Sequence, residues 1–132
     1  MSRRWLIATV TVLALVVAGC AGLRSERSGR DVGRAICDVK NASPGDVQQQ
    51  LTKLRNKLND AQRITGRPVA QDVNNIDNNI NDLVNHVSDR QSALAHQDVE
   101  SIQRNVVQAA DQASGLAKRY YQGVAEGLGD CT

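Results

Sequence analysis

Apolar residues recur at helical spacing from Ser43 onward. Val47, Leu51, Leu54, Leu58 and Ala61 follow one another at intervals of four, three, four and three, which places all five on one face of a helix. Ser43 as cap, Pro44 at the first position and Asp46 three residues on predict its start, and Gly66 and Pro68 predict its end. A second helix carries Val69, Val73, Ile76, Ile80, Leu83 and Val87 on the same kind of seam. A third stripe, Val99, Ile102, Val106, Ala109, Ala113, Leu116 and Tyr120, does not continue the phase of the second, so a turn is expected near Ser88. Ser88 with Gln91 would form its capping box, with Asp98 as the alternative cap. Upstream, Val32, Ala35, Ile36 and Val39 form a brief stripe interrupted by Gly33, which reads as one or two turns packed on something larger. The pattern predicts an all-α antiparallel bundle of three or four helices over residues 30–132.

The N-terminus has a different pattern. Arg3 and Arg4 precede an uncharged apolar run from Trp5 to Ala18, followed by Gly19 and Cys20, the order of a secretory signal. Val17, Ala18, Gly19 and Cys20 resemble the lipobox of bacterial lipoproteins: an aliphatic residue, two small ones and the cysteine that receives lipid. The resemblance implies diacylglycerol on the Cys20 thiol, cleavage after Gly19, and often an acyl chain such as palmitate on the new amino group. Residues 1–19 are then a signal peptide, and 20–29, polar and charged from Leu23 to Gly29, a lipidated flexible tether. The competing reading is an uncleaved transmembrane anchor from Trp5 to Leu23. Four arginines downstream (Arg24, Arg27, Arg30 and Arg34) against two upstream would pull the domain towards the cytoplasm, against that reading.

Loss of the signal alters the charge balance. The formal charge of +2 falls to zero once Arg3 and Arg4 leave, with fourteen basic and fourteen acidic side chains remaining, a balance that argues against nucleic acid. Basic residues lie near the anchor and acids gather from Asp72 to Glu100. The chain has no Phe, and without Trp5 its only aromatics are Tyr120 and Tyr121, so the core is aliphatic. Adjacent on a helix, those two point about 100° apart, so one is expected to pack and the other to meet solvent.

Chemistry-bearing motifs are sparse. Asn74, Asn75, Asp77, Asn78, Asn79, Asn81, Asp82 and Asn85 fall off the apolar seam and read as a solvated face, with a hydrogen-bonding surface for glycan or protein as the sharper alternative. His86 and His96 stand ten residues apart without metal-ligand spacing and read as surface residues. No nucleophile elbow or phosphate loop is present, so no catalytic residue, metal or cofactor is expected.

With Cys20 assigned to lipid, Cys37 and Cys131 remain as one pair in an exported protein, and a disulfide between them is expected. The pairing constrains topology. After three helices running up, down and up, Cys131 would finish about 30 Å from Cys37. A bond needs α-carbons within about 7 Å, so the chain must turn back near Ser114 and Gly115. The stripe from Val99 to Tyr120, which passes Gly115 without a phase break, points the other way. The resulting expectation is a lipid-anchored envelope protein, on the outer face of the cell membrane or in the envelope. Its bundle would be a non-catalytic interaction or structural module, with a carrier of a small lipid or apolar ligand as the alternative.

Overall fold

The computed structural model describes the backbone of residues 2–65 and 69–132 and the side chains of residues 21–65 and 78–132. Among the described residues five helices follow in order: α1 (Ser2–Asn41), α2 (Val47–Thr65), α3 (Val69–Ser88), α4 (Ser92–Gln112) and α5 (Gly115–Leu128), closed by a 3-10 turn (Gly129–Cys131). The all-α bundle read from the apolar spacing is present, with five helices in place of three or four.

The fifth comes from the N-terminal side. The stripe Val32, Ala35, Ile36 and Val39 is buried, but it belongs to the end of a long helix and not to one or two isolated turns. The segment 20–29, expected as a flexible tether, is helical too, and Ser25, Ser28 and Gly29 are buried in it. Polarity misled there, because small residues pack a helix against its neighbour without looking apolar.

The predicted seam of α2 is buried from Val47 to Ala61. Its start differs in detail: Ser43 opens a turn whose carbonyl accepts the amides of Asp46 and Val47, and its hydroxyl donates to the Asp46 carboxylate at 2.8 Å. The stop at Thr65 matches the expected break, and Gly66 and Pro68 lie outside the described residues. Ile80, Leu83 and Val87 are buried on α3 together with Val84, whereas the side chains of Val69, Val73 and Ile76 lie outside the described set. The turn after Ser88 is present, but α4 begins at Ser92 with Gln91 as its cap, and neither Ser88 nor Asp98 caps it. Arg90 supplies the reversal at φ 59°.

Between α4 and α5 the chain breaks where the cysteine parity required. Ala113 and Ser114 are extended, and Gly115 takes φ +62°, a conformation glycine adopts without a β-carbon penalty. The unbroken stripe through this point is thus coincidental: Ala110 is buried in place of Ala109, Leu116 is 37% exposed, and the pattern resumes at Tyr120. Tyr120 and Tyr121 are both buried, correcting the expectation that one meets solvent. Their rings meet edge to face with centroids 5.4 Å apart.

Candidate functional site

The tightest helix contact among the described residues is between α1 and α5. Gly29, Gly33 and Cys37 recur every four residues on α1, as do Gly123, Gly127 and Cys131 at the C-terminus. The matching members of the two series are all 94 positions apart. A β-carbon on Gly29 would stand 2.0 Å from the Tyr120 carbonyl oxygen, and one on Gly123 would stand 2.2 Å from that of Glu26. Gly33 meets the Val124 carbonyl and Gly127 that of Arg30, each at 2.4 Å by the same construction. Only bare α-carbons fit here, and they lie where Cα–H groups contact carbonyl oxygens of the facing helix.

The pairing climbs both helices in the same direction. Arg119 reaches Glu26 at 3.8 Å, Arg30 reaches Glu126 at 3.3 Å and Arg34 reaches Asp130 at 3.4 Å, so α1 and α5 are parallel. Cys37 and Cys131 close the upper end with a disulfide, their α-carbons 5.6 Å apart. The glycines that interrupt the apolar stripes are the residues on which this pairing depends. Their shared four-residue spacing, ending in a cysteine in both series, was the sequence signal for it.

A polar network surrounds the disulfide. Lys40 donates to the Cys131 carbonyl at 2.7 Å, and its Nζ lies 3.1 Å from Nδ1 of His96. His96 Nε2 in turn lies 3.0 Å from Glu100 Oε1. With the ammonium donating to Nδ1, the ring proton sits on Nε2 and is shared with Glu100. His86 Nδ1 pairs with Asp98, which ties the end of α3 to α4 across their turn. The two histidines lie at the surface, as expected, with 28% of the His86 side chain and 44% of the His96 side chain exposed, and each has an acidic partner. Among the described residues no three metal-ligating side chains converge. An open cleft of about 290 Å³ lies beside the network, with Val87 and Ala95 on its floor and Lys40 and Arg90 at its rim.

The opposite end of the bundle holds the first turns of α1 whose side chains are described, the end of α2 and the start of α5. A cleft of about 230 Å³ between α1 and α2 is lined there by Arg24, Arg27, Lys57, Asp31 and Asp60. The described part of the asparagine run, Asn78, Asn81, Asp82 and Asn85, is solvated, with Asn79 half-buried, and Asn74, Asn75 and Asp77 lie outside the described side chains. Cys20 is on the helical backbone of α1, and its side chain also lies outside the described set. Among the described residues no helix is long and apolar enough to cross a membrane. Comparison with protein-family models, with curated proteins and with solved structures yields no match.

Proposed function

We propose that the protein is a lipid-anchored component of a bacterial envelope, held by acyl chains on Cys20, whose disulfide-closed bundle serves as a non-catalytic interaction or structural module. The observation that carries this reading is the order Val17, Ala18, Gly19 and Cys20 at the end of an uncharged apolar run. The Cys37–Cys131 bond supports export, since disulfides persist in oxidising compartments and are rare in the cytosol. Several acyl chains, each contributing about 0.8 kcal/mol per buried methylene, suffice for a stable anchor. The described clefts open at the surface, and nothing in their lining favours the carrier over the interaction module.

Intact-mass measurement of the protein isolated from its native membrane tests the anchor. The mature chain should begin at Cys20 and carry diacylglycerol, and Cys20→Ala should remain uncleaved and unlipidated. An unmodified chain that keeps residues 1–19 would overturn the assignment.

A further inference from the structure

The bundle is polarised along its axis, and its basic end is the one that continues into Cys20. α1 is helical from Ser2 onward, and Ser25, five residues past Cys20, is already fully buried. At about 1.5 Å per residue, roughly 8 Å of helix separates Cys20 from that packed level, which leaves no length for a flexible spacer. Arg119, in the first turns of α5, lies alongside Gly22, so the start of α5 shares this level.

Two large apolar side chains stand in solvent there. Leu23 is 56% exposed and Leu116 37%. Around them are Arg24, Arg27, Lys118 and Arg119, with Arg24, Lys118 and Arg119 exposed and Arg27 opening on the cleft beside α2. Among the described residues only Arg119 of these four has an ion-pair partner, Glu26 at 3.8 Å, and Glu26 is also shared with Arg30 at 3.6 Å. Among the described side chains, Asp31, Asp60 and Asp111 are the other acids towards this end. Acids collect at the far end, where Asp46, Asp89, Asp98, Glu100 and Asp130 outnumber Arg34, Lys40 and Arg90 around the two inter-helix turns and the disulfide.

We propose that this end docks directly on an anionic phospholipid bilayer, with Leu23 and Leu116 dipping into the headgroup boundary and the four cations paired with lipid phosphates. The proposal rests on Cys20 being the anchor, which would hold this end at the surface. A bilayer fits the patch better than a folded partner because exposed leucines share this end with basic side chains, the composition of an interfacial contact, and each such cation is drawn to an anionic surface. The acidic far end is repelled by the same surface, so the bundle stands upright with its disulfide end away from the membrane.

The test places a fluorescent reporter at each end of the full chain. Trp5 is the only tryptophan, so in a Trp5→Leu background Leu116→Trp and Leu94→Trp each introduce a single indole. Leu94 is 38% exposed at the far end, in the first turn of α4. The variants are reconstituted into vesicles of phosphatidylcholine with about 30 mol% brominated phosphatidylglycerol, and into vesicles of brominated phosphatidylcholine alone.

In the anionic vesicles emission from position 116 should be roughly halved and that from position 94 unchanged, with quenching weakened as salt shortens the Debye length. Replacing Arg24, Arg27, Lys118 and Arg119 together by Gln should restore the emission. Equal emission at both positions, or equal quenching at 116 without anionic lipid, overturns the proposal. So does a position-116 indole shielded in lipid-free solution, which would mean that a second copy covers the patch. Intact mass of the same material separates the two readings: lipidated Cys20 without quenching at 116 refutes docking alone, and quenching without lipid refutes the anchor alone.

Discussion

Gly127 presses against Gly33. A β-carbon built on Gly127 would lie 3.0 Å from the Gly33 α-carbon and 2.4 Å from the Arg30 carbonyl oxygen, and one built on Gly33 would strike the Val124 carbonyl oxygen at a similar distance. Both obstacles are backbone, so no rotamer change relieves them. Gly33→Ala and Gly127→Ala should each destabilise the bundle by at least about 2 kcal/mol, against the roughly 1–3 kcal/mol typical of overpacking. For a domain of this size that lowers Tm on the order of 10 °C. Gly45, where an added methyl would meet nothing within 4 Å and φ is not positive, is the control, and Gly45→Ala should hold or slightly raise Tm. Thermal unfolding by circular dichroism checks all three, and equal shifts would show that the α1–α5 seam tolerates side chains.

The disulfide acts on the same seam. It spans 94 positions and joins the last turn of α1 to the end of the chain. In the chain-entropy account a loop of this length contributes about 4 to 5 kcal/mol. Denaturant unfolding of Cys37→Ala with Cys131→Ala should therefore show a midpoint well below that of the parent. Far-UV circular dichroism should stay native-like without denaturant, because the glycine contacts that align the helices remain.

Much of this architecture was legible in the sequence, and the failures share a cause. The four-three spacing from Val47 to Ala61 identified a buried face, and every member of it is buried. Cysteine parity located the reversal at Ser114 and Gly115 against a misleading continuous stripe, because a covalent distance limit is stricter than a hydrophobic phase. Glycine, read as a helix weakener, concealed the tightest interface: a helix that packs through bare α-carbons has no apolar signature, and residues 20–29 were therefore read as a tether. Tyr120 and Tyr121 are both buried because α5 packs against both α1 and α4, so it has two inward faces where a surface helix has one. The lipid site proposed at Cys20 rests on the lipobox resemblance alone, since the Cys20 side chain lies outside the described set.

Position on the seam should govern tolerance to substitution. Leu54 is 0% exposed and Ile80 2%, so Leu54→Asp or Ile80→Asp puts a carboxylate into an aliphatic core at a cost of several kcal/mol, enough to unfold a domain whose total stability is about 5–15 kcal/mol. Asn78 is exposed on the same helix as Ile80, and Asn78→Ser should leave Tm within a degree or two, since surface changes stay within about 0.5 kcal/mol. Soluble yield and melting curves check the contrast. A large loss from Asn78→Ser would instead point to a structured role for the asparagine face.

Alkaline pH should separate the buried tyrosine from the rest of the fold. Burial pushes the Tyr120 hydroxyl well above its ordinary value of 10.0, because the phenolate would lose its hydration inside the bundle. In the unfolded chain the same group ionises near its ordinary value. The folded state thus holds the proton that the unfolded state gives up, and stability is unaffected below about pH 10 and falls as pH rises beyond it. The limiting slope for one such group is about 1.4 kcal/mol per pH unit. Tyr120→Phe removes the ionisable group and keeps the ring, so its denaturation midpoint should fall less steeply between pH 10 and 11 than that of the parent. In the parent, absorbance at the phenolate band should report the ionisation of Tyr120 only as the bundle unfolds. Identical pH slopes for the two proteins would show that the Tyr120 hydroxyl reaches solvent in the folded state, and with it that α5 is not seated against α1 at this level.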